Sequence, residues 1–354
     1  SDTIIFSPGE YGEYLSRLDV TYNVFLKKVV DYKFTLIPVN DTVKGDKRIQ
    51  GMVEAYNTSI DASLYGSLGF HLWDTISSTS IPLELAGCNE SGLGNLAADS
   101  IRSIASSLKD VPNNDGNPYH IGIVASGVIR DNLYPGNTGA ITFTDVYNVL
   151  PLGISPDISQ PVPGYPLMSI YATPKDIYTI CEVSLSLAPM MGSDYYLNFS
   201  GLRIDYDGSL AYNTSTTPPT PTFQGVRSVS VCNVADIFSE EGETLLENRW
   251  DNTTLYHVVV DLYALQMLTL VNDYLPPILQ IQPRDSEGNP LDPTNAFMEY
   301  RIDSFDDSVV DVYNGDIQEL KEWMALLYFL DGVFPSGGLQ YYYGSSGSAM
   351  GRIY

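Results

Sequence analysis

Histidine and cysteine are scarce in this chain, with three of each among 354 residues. A hydrolytic metal centre needs convergent imidazole and carboxylate ligands. His71, His120 and His257 stand far apart, outside any ligand-like spacing. His120 opens an apolar strand pattern and His257 lies within one, so each reads as a packed or edge histidine. Cys88, Cys181 and Cys232 show no metal-motif spacing, and an odd number is no disulfide framework. They read first as buried, inert thiols and second as one bridge with a spare. Positive charge is the next shortage: 18 Lys and Arg face 43 Asp and Glu, a formal net charge of −25. Nucleic-acid binding needs a basic field that displaces counterions, and docking on anionic lipid needs a similar one. Neither partner suits this composition. No apolar run reaches the roughly 18 residues of a membrane-spanning helix. Gly-x-Ser-x-Gly elbows and phosphate-cradling Gly-x-x-x-x-Gly-Lys loops are missing too. Ser126 follows a strand pattern, but residue 124 is Val, so it does not read as a nucleophile.

What is present is an ordinary, Tyr-rich apolar composition, 44% hydrophobic with 26 tyrosines. A chain of this length has ample core, burying roughly three quarters of its unfolded surface, and two or three domains are expected. Ser1 is followed at once by a strand-like Thr3-Ile4-Ile5-Phe6, which suggests a mature fragment beginning inside something larger. Strand alternation continues at Tyr14–Val20 and Val29–Ile37. From Asp46 the period changes to helical, with Ile49, Met52, Val53, Tyr56, Ile60 and Leu64 on one face. A helix after an orphan hairpin reads as a linker between domains.

A second helix starts after Glu90, with Leu93, Ala97, Ile101, Ile104 and Leu108 as its stripe. His120–Val124 reads as a short buried strand. Thr142 caps a helix with Asp145 as the reciprocal acceptor, and that helix stops at Leu150 before Pro151. Thr173-Pro174 starts another, whose apolar face runs from Ile177 to Leu187. Paired strands are expected over Tyr195–Asp207 with a turn at Asp207-Gly208. Val229–Val234 and Leu255–Leu262 read as strands. The acidic run at Glu240, Glu241, Glu243 and Glu247 reads as a solvated face. Turn residues dominate from Pro276 to Pro293. A helix is expected over 316–331, with Ile317, Leu320, Trp323, Met324, Leu327 and Leu330 facing in. Ser336–Tyr354 reads as a late hairpin or a disordered end. Short strands alternating with helices predict an α+β class, a mixed α/β layered domain, after a strand segment and a linker helix.

Three stretches carry a resemblance. Glu90-Ser91-Gly92-Leu93-Gly94-Asn95-Leu96-Ala97-Ala98-Asp99 looks like the E-x-x-L-G-N-L-x-x-D helix start of the 5′-nucleotidase C-terminal domain. Gly127-Val128-Ile129-Arg130, Gly139-Ala140-Ile141-Thr142 and Val149-Leu150-Pro151 resemble its N-G-G-G-I-R, G-x-I-T and V-L-P-F block. Ser200-Gly201-Leu202-Arg203-Ile204-Asp205-Tyr206-Asp207 resembles its S-G-L-R-x-x-Y-D strand. Order and spacing agree over about residues 80–265. Upstream, Gly12–Asp19 and Leu36-Ile37-Pro38-Val39 are similar to the last strands of the family's metallophosphatase domain.

The resemblance implies the following division. Residues 1–45 are the terminal strands of a truncated metallophosphatase domain and 46–65 the linker helix. Residues 66–275 form the substrate-recognition domain, and 276–354 are an extension of unknown role. In the family, two divalent metal ions in the N-terminal domain activate water to cleave a phosphate ester, so no cofactor is expected in this chain and it alone is expected to be inactive. Its expected partners are a nucleotide or other phosphate ester and its own N-terminal catalytic domain, and its expected location is secreted, periplasmic or cell-surface. Substrate is held where the domains close on each other by rotation about the linker. Arg130 falls on the family's recognition arginine, whose fork grips phosphate or carboxylate; Ser126 and Gly127 fall on the adjoining loop. Tyr263, in Asp261-Leu262-Tyr263, is the counterpart of a base-stacking ring. The ordinary alternatives are a surface salt bridge for Arg130 and a core or strand tyrosine for Tyr263. Departures are visible: Ala125 replaces a substrate-contacting Asn, Ser126 and Val128 replace glycines, and Leu152 replaces the ring of V-L-P-F. Met267-Leu268-Thr269-Leu270 stands where the family has Gly-Gly-Asp-Gly. These losses leave a rival reading, a non-enzymatic extracellular binding or structural module with a degenerate site.

Overall fold

The computed structural model describes residues 3–9, 12–62, 68–157, 159–160, 162–232, 243–292, 300–304 and 317–354. Two units separate along the chain, Ser1–Ser63 and Leu64–Tyr354.

In the first, β1 (Tyr14–Asn23) and β2 (Lys28–Pro38) pair antiparallel, from Tyr14 opposite Pro38 to Asn23 opposite Lys28. Asn23 shapes the turn by accepting from the backbone N–H groups of Phe25 and Leu26. Ile4, Ile5 and Phe6 do not belong to a strand, contrary to their apolar pattern; β propensity makes a strand only where an edge is there to pair. Asp46 starts α1 (Lys47–Ile60) by accepting from Arg48 and Ile49 N–H. The stripe of Ile49, Met52, Val53, Tyr56 and Ile60 is exposed. Leu64, its expected end, lies outside the described residues, as do Glu240 and Glu241 of the acidic run.

The second unit is the mixed α/β layered domain that the pattern predicts. Its early elements are β3 (Thr75–Ser78), α2 (Gly92–Ser107), β4 (Ile121–Ala125), β5 (Ala140–Thr142) and α3 (Phe143–Val149). Then come β6 (Leu167–Ala172) and α4 (Pro174–Glu182), which runs through a π-helical turn into α5 (Ala188–Met191). The capping boxes at Thr142/Asp145 and Thr173/Asp176 are both formed. β7 (Leu197–Ser200) and β8 (Leu202–Tyr206) follow, then the short pair β9 (Tyr212–Asn213) and β10 (Thr220–Pro221). The unit ends with β11 (Val226–Val231), β12 (Thr244–Leu245), β13 (Tyr256–Asp261), α6 (Leu262–Tyr274), α7 (Glu322–Val333) and α8 (Leu339–Tyr343).

The central sheet runs β6-β13-β4-β7, with β13 parallel to β4 and the outer pairs antiparallel. Side chains alternate between its faces. Val124, Leu167 and Val259 enter one core with α2 and α7, whereas Ile123, Ile170, Val258 and Val260 face a second core. Helix α2 packs closely because β4 carries Gly122: a Cβ there would stand 2.6 Å from the Ala98 carbonyl oxygen. Leu93, Ala97 and Ile101 are fully buried as the stripe predicts, but so is Asp99, with Asn95 and Arg102 nearly so.

Four sequence expectations need correction. Tyr195–Asp207 is not a hairpin arm turned at Asp207-Gly208: β7 pairs with β4, while β8 pairs with β11 in a separate sheet. Gly201 makes the corner between them, with φ 80° and no room for a Cβ, which would lie 2.0 Å from the His120 carbonyl oxygen. The strand read over Leu255–Leu262 ends at Asp261, where the Asp261 carboxylate accepts the Ala264 N–H and starts α6. The helix expected over 316–331 begins at Glu322, because residues 318–321 spend their backbone groups sideways: Ser304 donates to Gln318, Leu320 to Ile302, and Leu167 to Leu320. The tail is neither hairpin nor disordered. Helix α8 packs Leu339 and Tyr343 into the first core, and Ile353 bridges to Ile204 of β8. Residues read as an extension thus fill the same core as α2, with Trp323, Met324 and Leu327 fully buried.

Candidate functional site

A cavity of about 500 Å³ opens on the second face of the central sheet. Its floor is strand residues one face apart: Ile123 and Ala125 of β4, Ile170 of β6, Val258 and Val260 of β13. Its walls come from α4 with its continuation (Ile180, Leu187) and from α6 (Leu265, Leu268). Arg130, Gly127, Tyr263, Tyr165, Leu152 and Asp194 also line it. Concave, mostly apolar sites with a few placed polar groups are the usual form of small-molecule sites.

Arg130 is exposed, and one guanidinium nitrogen donates to the Gly127 carbonyl at 3.3 Å. No carboxylate among the described residues pairs with it, so the surface salt bridge weighed for it is not formed. Backbone pairing fixes its position, since Arg130 N–H donates to Val149 of α3. Gly127 has no Cβ because Asp194 of the next loop passes there; a Cβ would meet its carbonyl oxygen at 2.9 Å. Tyr263 stands in the first turn of α6, not in a strand or core, and its ring centroid is 5.5 Å from that of Tyr165. Ser126 is not on the cavity wall. It is buried, and its hydroxyl accepts from Asn198 Nδ2 at 3.0 Å, which ties β4 to β7. The structure therefore places Arg130, Gly127 and Tyr263 on the lining of one cavity and leaves Ser126 off it. Val128 is fully buried in the first core and does not obstruct the cavity.

Two groups near the opening escape sequence reasoning. Tyr165 is one. Its phenol pKa is raised, first by burial and then by the neighbouring Asp261, Tyr263 and Glu322. The other is the carboxyl pair Asp261 and Glu322, both buried. Among the described residues, neither Glu322 oxygen, nor Asp261 Oδ2, finds a hydrogen-bond donor. Burial, then the adjacent Asp261, pushes the Glu322 pKa well above the carboxylate range, and burial raises Asp261 to about 6. The pair meets only one another's need if it holds a proton. An acid closing the apolar run Val258-Val259-Val260 was the available signal.

Elsewhere, His257 is fully buried between the rings of Tyr119 (centroids 3.8 Å) and Tyr171 (4.4 Å). Ser169 Oγ lies 2.7 Å from its Nε2 and Asp115 Oδ2 lies 3.4 Å from the same nitrogen. A catalytic relay needs the acid and the nucleophile on opposite ring nitrogens, so this is a packed histidine. Cys88, Cys181 and Cys232 are free thiols. Among the described residues no three His, Cys, Asp or Glu side chains converge as metal ligands. No helix among the described residues is long and apolar enough to cross a membrane.

The sequence model of the family described as 5′-nucleotidase, C-terminal domain, matches residues 75–267, more than half of the chain. No curated protein matches the sequence. Among solved structures, the 5′-nucleotidase precursor from Thermus thermophilus aligns with a TM-score of 0.55 at 18% identity, covering 97% of this chain and 50% of that one. The NAD nucleotidase of Haemophilus influenzae aligns at 0.45 and 13% identity, covering 97% of this chain and 53% of that one. At such identities the likeness is one of fold. The chain spans about half the length of these proteins.

Proposed function

The chain belongs to the 5′-nucleotidase C-terminal domain family, and from that premise we propose that it is the substrate-recognition domain of a metal-dependent phosphoesterase. The substrate is a nucleotide or a related phosphate ester, and the two metal ions belong to a catalytic domain outside this sequence. In this reading β1 and β2 are the last strands of that domain and α1 is the linker. Their apolar side chains, such as Leu15, Val20, Phe34 and Leu36, are exposed here, as strands of an incomplete sheet would be. A secreted, periplasmic or cell-surface location goes with the class.

The observation that supports the proposal is that Arg130, Gly127 and Tyr263 line one cavity. Arg130 offers a guanidinium fork with no carboxylate partner among the described residues, suited to a phosphate oxygen pair. The experiment is ligand-observed NMR with AMP, UMP, adenosine and inorganic phosphate at millimolar concentration, repeated with Arg130→Ala. Binding that weakens in the variant supports recognition. Binding indifferent to Arg130 sinks this assignment of the site.

One observation favours the rival reading, a binding module without enzymatic context. Leu152 and Ala125 line the cavity at positions where the family carries a ring and an amide. An intact upstream sequence with metal-ligand motifs would decide for the enzyme.

A further inference from the structure

We propose that the cavity takes the hydrocarbon part of an amphiphilic phosphate ester, with the chain against the sheet and the phosphate at Arg130. The inference rests on the reading of this domain as a phosphate-ester recognition module and narrows the substrate class.

The walls argue for it. Polar side chains on the lining are confined to Arg130, Asp194, Gln282 and three tyrosines. The Gln282 Nε2 is already committed, donating to the carbonyls of Pro283 and Leu291. The remainder is aliphatic side chains, methionine and backbone. A nucleobase placed against the sheet would bury donors and acceptors among aliphatic side chains, with few groups to meet them, which is costly. A hydrocarbon chain loses nothing and gains with each methylene. Nor is there a slot for a base between rings. Tyr165 and Tyr263 stand 5.5 Å apart, in contact with each other, rather than spaced to hold a third ring. Apolar cavities far smaller than this one stay dry and bind hydrocarbon, and about 500 Å³ lies in the range of ordinary ligand sites.

The opening supplies the head-group site. Arg130 faces it without a carboxylate partner among the described residues. Asp194, exposed on the same lining, has the opposite sign and weakens anion binding there. The two side chains thus form a charge test with opposite expectations, on surface positions whose replacement leaves the core untouched.

The test is titration calorimetry on the full chain with hexyl, octyl and decyl phosphate below their aggregation concentrations, with octanol and AMP alongside. Affinity is expected to rise about fourfold per methylene, the equivalent of about 0.8 kcal/mol. Arg130→Ala should weaken every alkyl phosphate and leave octanol unchanged, and Asp194→Asn should strengthen the phosphates. Methyl-labelled methionine NMR locates the site without a core variant. Met191 and Met267, on the cavity wall, should shift, while Met52, exposed on α1, should not. AMP binding that depends on Arg130, with no gain along the alkyl series, overturns the inference and leaves the phosphate-ester reading standing. A chain-length gain indifferent to Arg130 and Asp194 overturns both, since the head group is then not recognised. Equal shifts at Met52, Met191 and Met267 overturn the inference, because the amphiphile is then coating the surface.

Discussion

Arg352 Nη2 lies 2.6 Å from Asp99 Oδ2, joining residues 253 positions apart. The other Asp99 oxygen accepts from Ser200 at 2.6 Å, and Tyr343 donates to Oδ2 at 3.0 Å. Asp99 is fully buried, so its charge depends on these donors. Arg352→Ala is expected to destabilise the fold by about 3 kcal/mol, because it leaves a buried carboxylate without its counter-charge. Urea unfolding measures it. Asp99→Asn combined with Arg352→Met should cost less than the sum of the single changes; additivity would mean that the pair is not coupled.

The buried histidine sets an acid-side dependence. Burial, the main cause, pushes the His257 pKa down to about 4, against about 6.5 in an unfolded chain. Between those values the unfolded state binds the proton and the folded state does not. Stability therefore falls as pH drops from about 6.5 towards 4, by up to roughly 3 kcal/mol. Burial lowers His120 as well, which acts in the same direction. Thermal melts across this range should show the loss, and His257→Gln should flatten it. An unchanged slope would assign the loss to other groups.

The carboxyl pair sets the opposite dependence. Glu322 is held protonated in the fold well above the range where it ionises in an unfolded chain. The unfolded state then releases a proton that the folded state keeps, so stability declines as pH rises past the ordinary carboxylate range. Glu322→Gln keeps the shape and removes the ionisation. It should stabilise the fold at pH 8 by roughly 2 kcal/mol and change little at pH 4. A variant less stable at both pH values would show that Glu322 serves as a charged partner instead.

Leu152 lines the cavity, and by the V-L-P-F resemblance it takes the place of a ring. Leu152→Phe supplies a ring that the cavity lacks for a base, so any AMP binding is expected to tighten, with base stacking worth roughly 1–3 kcal/mol by comparison with single-stranded nucleic acid. The same change should leave inorganic phosphate unaffected. NMR titration separates the two. No gain for AMP would place the base, if bound at all, away from residue 152.

Local chemistry was legible from the chain. Thr142 with Asp145 and Thr173 with Asp176 form their caps because donor and acceptor are three residues apart, so no distant partner is needed. The stripe Leu93, Ala97, Ile101 and the apolar run at Ile121–Val124 were readable from period alone. Elements whose fate hangs on distant partners were not. Residues 318–321 look helical by period yet spend their bonds on strand-like neighbours. Ser200-Gly201-Leu202 looks like one strand yet turns a corner between two sheets. The Gly-, Ser- and Tyr-rich tail has no strong pattern, and distant partners such as Asp99, the first core and Ile204 of β8 give it a place.

The sequence by itself determined where helices start, which faces are apolar and which family the central stretch joins, because spacing along the chain carries those properties. It also singled out Arg130 and Tyr263 by their motifs. Tertiary structure alone decided that these two line one cavity while Ser126 is turned inward to Asn198. It alone gave that cavity its apolar interior, for Ile123, Ile170, Val258 and Leu268 come from four elements, of which only the last two follow one another directly in the chain. A cavity exists only where strands and helices pack without filling the space between them, and nothing in the order of residues records a space.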